Sequence, residues 1–394
     1  YAHIDFYTDS SIIYDPHPYF DWIREQGPVH RLTSRDVIAI TGFKEAIEVS
    51  RDSEHFSAIN AVIGSNFELP FEVRSDDITE ELAAHRGAVP FSDQIPTMDG
   101  AEHSRMRSLL TPLFTPRKLK NIEPRLRAIS DQIIDEFIES GEVELVREYG
   151  GAFATLVIAE LLGIPEEDHS FFRKQMANAV VGSVEQSPEE NAYNPLVLIS
   201  QRIAELLAER RQNPRDDVLG ALAASQFPDG SQPTLEQITG LGAFLFGAGQ
   251  DTTARLLGNL FRVLGGRQDL QENLRADPSL TGRFIEEALR YEGSVKSGGR
   301  LCIRSTTVGG VDIKAGDKIV LMHLAANHDP RRFSTPRTFD MDRPRNGEHL
   351  AFGRGPHTCI GAPLARLETR VSIEQLLKRL GPLSLSEQHH GSEN

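Results

Sequence analysis

The sequence predicts a mainly helical α+β chain with small β-sheets. Three observations carry this: long blocks with apolar residues at helical spacing, few and short strand-like runs, and a lone cysteine in a glycine-rich loop directly before a helix. Apolar positions Leu119, Ile122, Leu126, Ile129, Ile133, Ile134 and Phe137 mark one helix over 119–137. Ile199, Ile203, Leu206 and Leu207 mark a second over 196–211, with charged residues on the opposite face. A third begins at Thr234, whose hydroxyl is placed to cap Leu235-Glu236-Gln237, and continues to about Gly265. Its some 30 residues span roughly 45 Å, enough to cross a whole domain. The strand signals are 37–41, then 306–311 and 318–322, the last two read as a hairpin about the turn at 314–317. Residues 57–94 read as one long irregular loop, a length usually kept for function. No repeat or linker divides the chain, so 1–394 reads as a single domain.

Composition narrows the function classes. With 57 acidic and 42 basic side chains the formal charge is −15, which argues against nucleic acid as a partner. Hydrophobic residues at 39% and charged residues at 25% describe a globular chain. Two cysteines, Cys302 and Cys359, build neither a disulfide framework nor a structural zinc site, which fits a reducing compartment. The N-terminus has no basic start or apolar stretch, and its lack of an initiator methionine implies trimming. The uncharged run between Glu236 and Asp251 falls short of the roughly 20 apolar residues of a bilayer span. The expectation is a cytoplasmic protein without a membrane partner.

The strongest chemical signal is Ala351-Phe-Gly-Arg-Gly-Pro-His-Thr-Cys-Ile-Gly361, followed at once by a helical run. A thiolate before a helix N-terminus is stabilised by backbone N–H groups and the positive end of the helix dipole. Gly353 and Gly355 permit turns that a side chain would obstruct, Gly361 lets a flat cofactor approach, and Phe352 can shield the sulfur from water. Haem iron is a cofactor that uses a single protein thiolate. Cys302, in a strand-like run, has no such context and reads as core.

This segment resembles the haem-binding signature of the cytochromes P450, Phe-x-x-Gly-x-His-x-Cys-x-Gly, matching at Phe352, Gly355, His357, Cys359 and Gly361. The resemblance spans about residues 10–380. It implies the P450 fold with its long central helix across the haem, haem b bound through Cys359, and a soluble bacterial-type monooxygenase. Glu287 and Arg290 then correspond to the family's ExxR pair, joined by Arg343 to brace the haem-side core. Ala248-Gly-Gln-Asp-Thr-Thr253 resembles the oxygen-activation motif, in which Thr252 and Asp251 relay protons and Gly249 relaxes the helix. His103, Arg107, Arg300 and His357 resemble contacts to the haem propionates. The substrate pocket would take in the loop 57–97, the region 176–181, Ala243, Phe244, Gly247 and Ala248, and the stretch with Val295 and Lys296. Lys296 either pairs an anionic substrate or snorkels outward.

The implied reaction hydroxylates or dealkylates a small, largely apolar molecule. It uses O2 and NAD(P)H-derived electrons from a ferredoxin or flavodoxin-type donor with its reductase, separate or fused. No flavin or nicotinamide fingerprint is present in the chain. Arg354, Arg366, Arg370, Lys378 and Arg379, with Arg117, Lys118 and Lys120, form either a partner-steering face or an ordinary solvated one. The alternatives are a peroxide-driven, reductive or isomerising haem-thiolate enzyme, and a haem-bound recruitment or sensor module. Only 35 residues follow Cys359, and they lack the apolar strands that close the family's pocket, which implies a truncated chain or a pocket open there. The proline often found after the ExxR helix is also missing from 291–299.

Overall fold

The computed structural model describes residues 1, 4–6, 8–33, 35–65, 67–178 and 195–386. Two compact units are present: 1–104 with 286–359 and 386–394, and 105–285 with 360–385.

The first unit is built on a five-stranded sheet. Its strands, in chain order, are β1 (Val29–Leu32), β2 (Val37–Ile40), β3 (Phe56–Ser57), β4 (Gly298–Cys302) and a fifth over Lys318–Leu321. Between β4 and that fifth strand lie β5 (Thr306–Val308) and β6 (Val311–Ile313), so the fifth strand is β7. The order is β1-β2-β7-β4-β3, with β2 and β7 parallel and the other neighbours antiparallel. β2 is an unbroken apolar run because both its faces are covered. Ile38 and Ile40 join Ile319, Leu321 and Phe43 on one side, while Val37 and Ala39 join Val320, Phe20 and Ile23 on the other.

The hairpin differs from the sequence expectation. β5 pairs with β6, and the turn falls at Gly309 and Gly310, both left-handed at φ +57° and +82°. The residues 314–317 instead lead into β7, which pairs with β2 and β4. The irregular stretch after β3 has its own core: Ile59, Ile78, Leu82 and Val89 pack on Leu301 and Ile303.

The helices that matter below are α1 (Gly100–Leu110), α2 (Pro116–Phe137), α3 (Ala152–Leu162), α4 (His169–Asn178), α5 (Pro195–Gln212), α6 (Leu235–Gly265), α7 (Thr281–Glu292) and α8 (Ala362–Arg379). α6 starts where its cap predicts: Thr234 and Gln237 form a reciprocal capping box. α5 buries the predicted stripe and also Arg210, whose Nε reaches Asp217 at 3.0 Å and whose Nη2 reaches the Gly163 carbonyl at 2.9 Å. A charged residue thus lies on the face that periodicity assigns to the core. α6 is seated tightly against a π-helical turn, Leu145–Gly151, that runs into α3. A Cβ on Gly150 would stand 3.1 Å from the Ala254 Cα, and one on Gly258 would stand 2.5 Å from Val146. Among the described residues no helix is long and apolar enough to cross a membrane.

Gly150→Val should therefore overpack this contact, costing about 1–3 kcal/mol. A thermal midpoint equal to that of the wild type would show that the π-turn does not seat α6.

Candidate active site

The cysteine loop closes on itself. The Cys359 N–H donates to the Phe352 carbonyl at 2.9 Å, and the Thr358 hydroxyl donates to the Gly355 carbonyl at 2.8 Å. Gly353 and Gly355 are left-handed, at φ +64° and +77°. Gly355 is also a close approach, since a Cβ there would lie 2.3 Å from the Ser50 carbonyl oxygen. Phe352 and Gly361 are half-buried. Cys359 is exposed, whereas Cys302 is buried in β4 and burial pushes its thiol up to about 12. The sulfur held outward is the one whose chain enters α8 three residues later.

Glu287, Arg290 and Arg343 come together in the interior. Arg290 donates from Nε and Nη2 to the two Glu287 oxygens at 2.9 and 2.8 Å, and Arg343 Nε donates to Oε1 at 3.1 Å. The remaining guanidinium donors take backbone carbonyls: Asn327, Pro336 and Thr338 for Arg290; Ser334, Thr335 and Thr338 for Arg343. Read alone in the sequence, the ExxR pair looks like a surface ion pair; both residues are fully buried.

A second cluster in the same unit gathers His103, His357, Asp99 and Arg300. The His103 and His357 rings lie 4.1 Å apart at 37°. His357 Nε2 is 3.8 Å from Asp99. Burial opposes ionisation of Asp99, but hydrogen bonds from His357, the Ser57 hydroxyl at 2.5 Å and the Ala58 N–H at 2.9 Å outweigh it and hold the carboxyl below its usual range. The described residues contain four buried arginines. Arg210, Arg290 and Arg343 have a carboxylate at 2.9, 2.8 and 3.1 Å. Among the described residues Arg300 has none within 4 Å, and one Nη1 bond to its neighbour's carbonyl, at 2.6 Å, is the only hydrogen bond its guanidinium makes. Burial draws its pKa below the ordinary value, and the charge of Asp99 partly offsets that. A buried cation with no carboxylate in contact, linked through Asp99 to the two imidazoles, fits a cofactor that brings its own carboxylates, as haem does. Arg107, one turn after His103 on α1, is half-buried.

In the other unit, α6 carries the expected relay residues without a break at Gly249. That glycine serves packing, since a Cβ would stand 3.2 Å from Ile158. The Thr252 hydroxyl donates to the Ala248 carbonyl at 2.7 Å, and Asp251 accepts from Arg255 Nε at 2.9 and 3.0 Å. Phe244 and Gly247 are half-buried and Ala248 is exposed. Thr253 was not singled out by the motif, yet its hydroxyl donates to the buried Glu368 at 2.9 Å. Burial raises the Glu368 carboxyl to about 8 despite that bond. No sequence signal marks Glu368 or Asp99, because each acts through a partner distant in the chain. Of the expected pocket stretches, Val295 is exposed and Lys296 half-buried, while 179–181 lie outside the described residues. Among the described residues no cluster of three or more His, Cys, Asp or Glu side chains forms a metal site.

A model of the cytochrome P450 family matches residues 167–390. The chain is 30% identical over 370 residues to cytochrome P450(MEG) of Priestia megaterium, covering 93% of this chain and 87% of that protein. It is 32% identical over 377 residues to cytochrome P450 monooxygenase PikC of Streptomyces venezuelae, covering 94% and 85%. The substrate-free structure of Mycobacterium marinum CYP150A6 superposes with a TM-score of 0.92 at 45% identity, over 99% of this chain and 92% of that one.

Two substitutions test the geometry. Glu287→Ala leaves two buried guanidinium groups without an anion and should cost about 3–5 kcal/mol; near-wild-type unfolding in urea would refute the network's role. Glu368 has a folded pKa of about 8, above the ordinary 4.5. Its stabilising contribution is complete below the unfolded value and is lost as pH rises through the folded one. Glu368→Gln should therefore flatten the fall in melting temperature across that window, and parallel wild-type and variant profiles would count against a buried neutral acid.

Proposed function

The chain belongs to the cytochrome P450 family of haem-thiolate monooxygenases, and from that premise we propose that Cys359 is the iron ligand, that electrons come from a separate or fused redox partner, and that the substrate is a small, largely apolar organic molecule. The observation that carries the ligand assignment is the exposed Cys359 in a self-closed loop, in contrast to Cys302, which is buried with its thiol pushed up. On this reading 1–394 is one haem domain.

Bound haem would supply the reductive activation of dioxygen, one atom going to substrate and the other to water, with thiolate electron donation favouring O–O cleavage. The chain's own residues would do the following. Arg300, His103, Arg107 and His357 pair the haem carboxylates. Phe352 shields the sulfur, and Gly361 keeps the chain close to the ring. The Thr252 proton is committed to the Ala248 carbonyl, so Thr252 Oγ1 is free to accept a hydrogen bond. Asp251 is half-buried and pinned by Arg255; it can take a proton from solvent and pass it through water toward Thr252. This relay suits turnover with dioxygen, whereas a peroxide-driven or isomerising reaction has no use for it.

Apolar Phe244, Gly247, Ala248 and Val295 favour an apolar substrate. Lys296 has no carboxylate within 4 Å among the described residues and is the polar exception. The basic cluster near Cys359 is smaller than its sequence suggests. Arg370 pairs with Glu123 at 2.8 Å and Arg379 with Asp135 at 2.6 Å. Arg117, Lys120 and Lys378 remain exposed, and these are the groups we assign to steering an acidic ferredoxin or flavodoxin.

Reduction under carbon monoxide should give the strongly red-shifted Soret band of a thiolate-ligated haem, lost in Cys359→Ala; a histidine-like band in the wild type would refute the ligand assignment. Thr252→Ala should retain that band while product per O2 consumed drops by about 10²-fold or more. Unaltered coupling would remove the relay and favour the peroxide-driven alternative.

A further inference from the structure

One buried group beside Arg300 has no part in the chemistry above. His323 follows β7 by two residues and opens a short helix, His323–Ala326. The β4–β7 register sets Gly298 opposite Leu321, which brings the imidazole onto bare backbone. A Cβ on Gly298 would stand 3.2 Å from His323 Cε1 and 3.9 Å from Nε2. His323 and Arg300 are each 9% exposed, and His323 Nδ1 is buried without a hydrogen-bond partner.

The charged groups around this imidazole are few. Arg300 faces it from β4, and Asp99 acts on Arg300 in turn. From the segment before β4, the Lys296 carbonyl accepts the Leu324 N–H at 3.1 Å, which brings a lysine's backbone alongside. No carboxylate reaches Arg300 within 4 Å among the described residues, so the pair is one anion short. With only the guanidinium beside it, burial and like charge keep the imidazole neutral, drawing its pKa down to about 4. A carboxylate seated on Arg300 reverses that balance. Its charge cancels the guanidinium's effect, and a protonated imidazole then offers a second charged donor.

We propose that His323 is a second cationic pole of the carboxylate site around Arg300, taking up a proton when a carboxylate binds there. The carboxylate is that of the haem or that of an acidic substrate. This rests on the haem-thiolate reading above, and the two can fail separately.

The test compares wild-type holoenzyme with His323→Leu and His323→Gln by transfer of haem to excess apomyoglobin, from about pH 6 to about pH 8. Circular dichroism and the carbon monoxide band of each variant check fold and ligation. If the carboxylate is the cofactor's, both variants should lose haem on the order of tenfold faster at the acid end and converge on wild type at the alkaline end. If it is the substrate's, haem loss stays at the wild-type rate, but spectral affinity for laurate falls on the order of tenfold while that for methyl laurate does not. Wild-type haem loss together with wild-type laurate affinity in both variants overturns the proposal. Should Leu fail to fold, Gln retains the shape and removes the charge, so the same outcomes decide. Absence of a thiolate band in the wild type would instead defeat the underlying haem-thiolate reading.

Discussion

Two guanidinium groups, those of Arg290 and Arg343, are buried on a single carboxylate, Glu287. Burying such a set is costly, and it is tolerated only when every donor and acceptor is satisfied. Glu287 Oε1 accepts from Arg290, from Arg343 and from the Asp340 N–H at 3.0 Å, and the arginines' other donors take up carbonyls between 327 and 338. That stretch has little regular structure of its own, so this network supplies the order a helix or strand would otherwise give. Asn327 extends it. Its carbonyl accepts from Arg290, while its side-chain oxygen accepts the Leu350 N–H at 2.7 Å, the entry to the cysteine loop. The placement of Cys359 is thus tied to charges buried on α7.

The same electrostatic rule, applied to Arg300, underlies the carboxylate site proposed there. Most arginines among the described residues find a carboxylate, including Arg370 and Arg379 on α8. A net charge of −15 supplies anions in excess, so a buried arginine left without one does not reflect scarcity. Asp99 is close enough to influence Arg300 but is committed to Ser57, Ala58 and His357. Glycine at 298 and 299 keeps side chains away from the same stretch of β4; a Cβ on Gly299 would stand 2.6 Å from the Asn60 carbonyl oxygen.

Much of this was legible in the sequence, and what was not has two causes. The start of α6 follows from a local capping box, and the cysteine loop from local glycines and a following helix. Those signals lie within a few residues of what they specify. The hairpin was misplaced because two turn signals compete within ten residues; the Gly309-Gly310 pair, able to take two left-handed conformations, sets the tighter turn. Arg210, Asp99 and Glu368 are the other kind of miss. A charged residue enters the interior only where a distant segment offers its partner, and periodicity carries no record of Asp217, Ser57 or Thr253.

The paired threonines of α6 show how one helix serves packing and chemistry at adjacent positions. Successive helical residues point about 100° apart. Thr252 turns its hydroxyl back to the Ala248 carbonyl and keeps an acceptor available, while Thr253 is buried and reaches Glu368 on α8. A charged carboxylate there would need a cation; among the described residues none bonds to it, and burial raises its pKa to about 8. It therefore joins α6 to α8 as a neutral hydrogen-bonding group, without introducing charge beside the proposed relay. Because α8 begins three residues after Cys359, this contact ties the helix bearing Thr252 to the helix that follows the thiolate loop. A charged pair would fix the two helices equally well, but its field would act on Asp251 and Thr252; a neutral acid fixes them and leaves the proposed proton path to those two residues.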